Sequence, residues 1–388
     1  MNRRRIISIS ALGLVAIAAY GAWFYSFGVL LDPIIVDTGW SETGLTAGFG
    51  VGMAVGGVLA LPAGRLLDHV GSRPMFLFAA VVSTSALWVG ASATSLMPFL
   101  VMTGLANATL SALGFYHITQ TTAVRVAPDE PAKAIALLTI YGAFASAIFL
   151  PLAAYLVETS GWRTTTRVLG LIVGVVLAVA AVVVKEEERA DRTLVRAGVR
   201  AGLRDPTVRK FSAAVALSGV MAGVLLVYQV PLMTAAGLPL ATASWFAGAR
   251  GAAQLTGRLP LAFIVRRLGE RRSLILAYSS SAIGVVLLAF SGNVLVASAF
   301  ALAAGFGIGA ASALQGIYAD VVFDRSELGA MMGFLTLLGG LSGAAGPAAA
   351  GALADITGTR IWALVIAGVS GVAAVGLLRA SRDHTAVP

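Results

Sequence analysis

Gly64-Arg65-Leu66-Leu67-Asp68-His69-Val70-Gly71-Ser72-Arg73 is a short charged turn set between two long stretches without Asp, Glu, Lys or Arg, Thr43–Gly64 before it and Pro74–Val124 after it. An ionised side chain at the centre of a bilayer costs about 2.5–3.5 kcal/mol even on the mild insertion scale. Uncharged windows of this length therefore mark membrane spans, since about 20 helical residues at a 1.5 Å rise cross a hydrocarbon core of roughly 30 Å. The turn joins two of them.

Working outward from it, Ile6–Leu31 and Thr43–Gly64 hold one helix each. Pro74–Val124 is long enough for two and breaks near Ser92–Pro98, and Ala134–Val157 and Val168–Val184 complete a first set of six. Phe211–Val265 holds two helices split at Gly237–Pro239, the second carrying Arg250 and Arg258. Ser273–Ala319 splits near Ser291–Asn293, and Leu328–Ala354 and Ile361–Leu378 complete a second six. Composition agrees: charged residues make up 12% of the 388, against roughly a quarter in soluble chains. The chain reads as an all-α membrane protein of twelve transmembrane helices in two pseudo-symmetric six-helix bundles, residues 1–184 and 211–388, joined by a hydrophilic connector over 185–210.

The absence of cysteine excludes disulfides, thiolate zinc sites and cysteine nucleophiles, and three histidines leave little for a histidine metal site. No cofactor is expected. The net charge of +9 does not imply nucleic acid, because the basic residues follow the loops. With the N-terminus inside, 23 of the 27 basic residues fall in the cytoplasm, Arg163, Arg167 and Arg360 outside, and Arg250 in the bilayer. Both termini are thus expected in the cytoplasm, and the chain in a bacterial inner membrane. The opening Met1-Asn2-Arg3-Arg4-Arg5 resembles a signal peptide, but the apolar stretch after it is longer than such a peptide's core and eleven spans follow.

An internal repeat shows in matched pairs. Gly64-Arg65-Leu66 and Gly71-Ser72-Arg73 return as Gly257-Arg258-Leu259 and Gly269-Glu270-Arg271; Ser111-Ala112-Leu113 returns as Ser312-Ala313-Leu314; Pro33 returns as Pro231 and Pro151 as Pro347. All fall near half the chain length apart.

With these residues in hand, the sequence resembles the major facilitator superfamily over essentially its whole length, the 64–73 stretch being similar to that family's loop between helices 2 and 3. Tyr25-Ser26-Phe27-Gly28-Val29-Leu30, Gly39-Trp40-Ser41 and Gly161-Trp162-Arg163 resemble the monocarboxylate-porter and oxalate/formate-antiporter branches. The resemblance implies a secondary transporter in which the loop cluster of Gly64, Arg65, Asp68, Gly71, Arg73 and Arg125, with Gly257 and Arg258 in the second half, gates the transition between outward- and inward-open states. It also implies that the arginine of helix 8 binds the substrate carboxylate. Two positions depart from those branches: Asp32 stands where they often place a lysine, and Phe246 where many carry an aspartate. Both weaken the transfer of proton–lactate coupling, and of the substrate with it.

The residues point the same way by their own chemistry. Gly64 and Gly71 suit a tight turn and close helix approach. Asp68 has Arg65, Arg73 and Arg125 as candidate partners and a helix N-terminus to face. Arg250 lies about ten residues into its helix, near mid-membrane, where a guanidinium cannot shed its charge. Either it receives an anionic ligand or it clamps helices; no acidic residue lies within a turn of it. Tyr25, Asn107, Tyr116, His117, Tyr141, Tyr228, Gln229 and Gln254 are polar side chains in apolar windows, each a candidate for substrate binding or for a satisfied contact between helices. His117 and Asp32 are the candidates for carrying a proton, Asp32 being equally readable as an outer-loop charge. Gly48, Gly52 and Gly56 on helix 2 and Gly339, Gly343, Gly346, Pro347 and Gly351 on helix 11 suit close packing. Gly305-Phe306-Gly307-Ile308-Gly309-Ala310 fits a dinucleotide fingerprint but sits in a span with no strand before it.

These observations lead to a secondary transporter, not an enzyme, that moves a small organic anion, a mono- or dicarboxylate, by alternating access coupled to a proton or to a counter-transported anion. It is expected to work as a monomer in the lipid bilayer. Proton-coupled drug or metabolite efflux and a non-transporting sensor or scaffold are the alternatives. The orientation is directly testable in a chain without cysteine. Single thiols at Ser160 or Thr359 should react with an impermeant reagent from outside intact cells, and one at Thr193 should not; the opposite labelling overturns the topology.

Overall fold

The computed structural model describes residues 3–186, 204–323 and 328–381, and among them all regular structure is helical. The first half comprises α1 (Arg3–Thr38), α2 (Glu42–Val70), α3 (Ser72–Ala91), α4 (Leu96–Val126), α5 (131–160) and α6 (162–183). The second comprises α7 (Pro206–Ala235), α8 (Leu240–Arg258), α9 (Glu270–Ala289), α10 (Val294–Val322), α11 (Leu328–Thr357) and α12 (Ile361–Arg379). Ten helical stretches among the described residues are long and apolar enough to cross a membrane, α5 and α6 forming one of them; α8, with Arg250 and Arg258, is not among the ten. Most of the connector expected over 185–210 lies outside the described residues.

Local chemistry sets the helix ends. Ser41, Asp205 and Asn293 accept hydrogen bonds from Gly44, Thr207 and Val296 N–H at 3.1, 2.6 and 3.0 Å, satisfying donors that a helix start leaves open. Six glycines with positive φ turn the chain between helices, and they form three pairs. Gly39 and Gly237 stand 198 residues apart, Gly71 and Gly269 also 198, and Gly161 and Gly358 197. The pair at the 64–73 loop and its repeat is nearly superimposable in conformation, φ 76°, ψ 175° at Gly71 and φ 77°, ψ 166° at Gly269. A side chain is strained at such φ values, so the repeat is written into the backbone as well as the sequence.

Contacts divide the chain into two units, Met1–Arg192 with Leu240–Gly251, and Thr193–Pro239 with Ala252–Pro388, so the boundary falls inside α8. In the first unit α2 packs on α4, α3 on α4 and α6, and α1 on α5. Close approach on the expected glycine ridge is real: a Cβ on Gly52 would sit 3.0 Å from the Gly104 carbonyl oxygen, and one on Gly56 2.5 Å from the Ser111 Cβ. In the second unit α9 packs on α10, and α7 on α11 and α12, around Phe211, Tyr278, Leu314 and Leu378. Outward-facing apolar residues such as Val81, Leu295 and Val372 are well exposed, as lipid contact requires.

Three expectations change. The first span runs on past Leu31, so Asp32 and Pro33 lie inside it, both within the helical stretch Phe27–Thr38. The fourth helix is broken at Phe115 rather than continuous. Gly64 makes no close approach, a Cβ there meeting nothing within 4 Å, whereas Gly257 presses on the backbone of Phe306 and Ala310. The dinucleotide-like run lies within α10, where Gly309 packs against the Gln254 backbone.

A methyl group on Gly309 would lie 2.7 Å from the Gln254 Cα, while one on Gly57 meets nothing. Overpacking of this kind costs about 1–3 kcal/mol, against up to about 1 kcal/mol that a helix gains when Gly becomes Ala. Gly309→Ala should lower the thermal midpoint in detergent, and Gly57→Ala should hold or raise it.

Candidate functional site

Two breaks in helix geometry create the site of the first unit. Residues Tyr20–Tyr25 of α1 form a π turn, a form found mostly as single turns and often at functional sites. The Ser26 hydroxyl donates to the Gly21 carbonyl at 2.7 Å, occupying an acceptor that the irregular turn disturbs. In α4, Phe115 is extended at φ −81°, ψ 176°, which separates Leu96–Gly114 from Tyr116–Val126. The carbonyls ending the first piece lose their helical donors, and His117 Nε2 lies 2.9 Å from the Ala112 oxygen. In the tautomer with Nε2–H, His117 caps the broken helix.

The two breaks face each other. Tyr20 stacks on Phe115 with ring centroids 3.8 Å apart and 14° between planes. Tyr25 lies 6.1 Å from Tyr20, since a π turn brings residues five apart onto one side. Phe24 sits 5.5 Å from Phe115, and Tyr116 5.2 Å from Tyr20, with the Tyr116 hydroxyl packed on Gly142 of α5. Arg250 of α8 is 3% exposed. Nearby, Gly248 and Gly251 let α8 press on α5 at Ala147 and Ser146.

The other expected site residues are placed differently. Asn107 is buried and donates from Nδ2 to the Phe49 carbonyl at 3.1 Å, tying α4 to α2. Tyr141 donates to the Ser10 hydroxyl at 2.9 Å, tying α5 to α1. Both side chains thus engage neighbouring helices. In the second unit Tyr228 and Gln229 are wholly buried, and Gln254 accepts from Arg258 at 3.1 Å, four residues on along α8. Asp32 is half-buried within α1.

At the end carrying the 64–73 loop, Arg125 is the partner of Asp68 and also donates to the Leu67 carbonyl at 3.0 Å. Arg65 and Arg73 are exposed and form no ion pair among the described residues. The helix N-terminus expected to meet Asp68 is occupied by another carboxylate: Glu186 accepts from Ser72 N–H at 2.7 Å and lies 3.5 Å from Arg125. At the opposite end Asp37 accepts from the Trp162 indole at 3.0 Å and pairs with Arg163, joining the end of α1 to the start of α6.

Sequence reasoning missed Glu186, Asp37, Tyr20, Phe24 and Phe115. Glu186 was masked by the charged connector in which it stands, and nothing local couples Asp37 to Trp162. The three rings look like ordinary apolar residues until the π turn and the break align them.

Two bundles of membrane-spanning helices, related by an internal repeat and holding a buried cation and aromatic polar groups at mid-span, define a transporter. The chain belongs to the major facilitator superfamily, whose profile it matches over residues 12–232 and again over 211–387. Its fold is similar to that of the nucleoside transporter NupG, at a TM-score of 0.78 and 14% identity over 97% of this chain and 99% of that one. It is likewise similar to a bacterial homolog of the human lysosomal transporter Spinster, at 0.71 and 13% over 98% and 95%. No curated protein matches it in sequence. The protein is a multi-pass membrane transporter and not an enzyme.

Glu186 both caps α3 and neutralises Arg125. Glu186→Ala should therefore cost about 1–2 kcal/mol of stability, read as a lower thermal midpoint of purified protein, while Glu186→Gln, which keeps an acceptor for Ser72, should cost less.

Proposed function

We propose that the protein moves a small organic anion, a mono- or dicarboxylate, by alternating access, driven by a proton or by exchange for a second anion. The burial of Arg250 carries this reading. A guanidinium stays ionised at any physiological pH, its helix contains no Asp or Glu, and its planar fork matches a carboxylate with paired hydrogen bonds. The likeness of Tyr25–Leu30, Gly39–Ser41 and Gly161–Arg163 to the monocarboxylate-porter and oxalate/formate-antiporter branches supports it. Asp68, Arg125 and Glu186 act as the gate, and the basic loops place that end and both termini in the cytoplasm of a bacterial inner membrane. Asp32 and His117 are the proton-carrier candidates.

A neutral planar substrate is the competing reading, favoured by the rings around Tyr20 and by the nucleosides that NupG carries. Arg250 separates the two. Arg250→Lys keeps the charge but not the fork and should weaken carboxylate binding by about 2–5 kcal/mol, as for a truncated buried charge pair. Arg250→Ala should abolish carboxylate uptake in proteoliposomes while the protein still inserts. Normal carboxylate binding and uptake by Arg250→Ala overturns the anion site.

A further inference from the structure

Seven aromatic rings in the first unit serve two different purposes. Trp23 and Phe27, on the inner side of α1, are 1% exposed and pack on Phe99 and Phe49 as core. Tyr20, Phe24, Tyr25, Phe115 and Tyr116 are each only half-buried, although they stand in the middle of spans and touch one another edge to face or stacked. Two departures from regular helix, the π turn and the break at Phe115, are what bring these rings together. Irregular backbone at membrane depth is tolerated where it is enclosed in protein or lines a cavity. The Arg250 segment approaches the same place: its neighbour Gly251 packs on Ser146 of α5, one turn from Gly142, on which the Tyr116 hydroxyl rests.

We propose that the anion carried by this protein bears an aromatic ring on its carboxylate, an aryl carboxylate, with the carboxylate on Arg250 and the ring against the wall of Tyr20, Phe24, Tyr25, Phe115 and Tyr116. The inference rests on the reading of Arg250 as the anion site and adds the chemistry of the substrate's body. The physical case is the aromatic quadrupole. Partly open phenyl and phenol rings offer both edges and faces to a planar ring, and such pairs are favourable beyond the area they bury. A saturated ring of similar size buries comparable area but has no quadrupole to match.

Benzoate, cyclohexanecarboxylate, propionate and uridine, measured calorimetrically on the purified full chain, separate these contributions. Benzoate should bind about two- to tenfold more tightly than cyclohexanecarboxylate, the range expected for one added aromatic pair. Phe24→Leu and Phe115→Leu should bring that ratio close to one and leave propionate unchanged, and Phe115→Tyr, which keeps the ring, should preserve the ratio and report that the site still folds. Equal affinity for the two cyclic acids in the wild type, or an unchanged ratio in both Leu variants, overturns the ring assignment while leaving Arg250 as an anion site. Benzoate binding that survives Arg250→Ala, or uridine binding with no carboxylate bound, overturns the anion site itself and the inference with it.

Discussion

The cost of removing an ionised group from water orders this molecule. It confines charge to the ends of the helices, where Asp68, Arg125 and Glu186 close one end of the first unit and Asp37 and Arg163 the other. Each cluster does more than neutralise charge. Arg125 also satisfies the Leu67 carbonyl, Glu186 also holds the N–H of Ser72, and Asp37 also receives the Trp162 indole. Charges that must lie near a surface are thus spent on helix termini, whose unsatisfied backbone groups have the same need for partners. Arg250 departs from this pattern, being 3% exposed and well inside α8.

The same reasoning applies to the backbone. Within a bilayer every N–H and C=O needs an internal partner, so an uninterrupted helix is the default and each interruption has to be resolved locally. The π turn at Tyr20–Tyr25 is answered by the Ser26 hydroxyl, and the break at Phe115 by the His117 ring. Both answers come from side chains a few residues away, so both defects are encoded within their own helices. A doubly protonated imidazole keeps its Nε2–H and with it the hydrogen bond to Ala112. Protonation can therefore alter the charge beside the break without opening it.

The fold was legible because charge and glycine act locally. Uncharged windows gave the spans, and the paired motifs around Gly71 and Gly269 gave the repeat, since each depends on a residue's own cost in its own place. Asp68 was legible as one member of an ion pair, but Arg125 had to be chosen among three arginines, and that choice depends on how α2 meets α4. Asn107 and Tyr141 looked like site residues for the same reason that Tyr25 did: a polar group in an apolar window announces only that it has a partner. Whether the partner is a neighbouring carbonyl, as at Phe49, or an open wall is decided by packing. The ring wall was invisible in sequence because it is made by helix irregularity, and no residue in Tyr20–Tyr25 by itself demands a π turn.

The two halves show where a duplicated scaffold has been put to use. At the 198-residue offset of the turn glycines Tyr20–Tyr25 corresponds to 218–223, and at the 201-residue offset of the matched Ser-Ala-Leu runs Phe115 corresponds to Gly316. Both of the second-half segments are regular α-helix. Where the first half has a π turn, the second has Ser218, whose hydroxyl joins Tyr278 at 3.1 Å and Gln315 at 3.4 Å in a buried polar group. That group is closed on itself, with Gln315 also donating to Tyr278 at 3.0 Å, so it stiffens the packing of α7, α9 and α10 without offering an open face. The turns that shape the bundles were kept in both copies. The π turn and the Phe115 break stand in one copy only, where they coincide with the half-exposed rings, while the second copy breaks elsewhere, between Arg258 and Leu261. Asymmetry in a symmetric scaffold therefore singles out the first unit, into which the Arg250 segment is grouped.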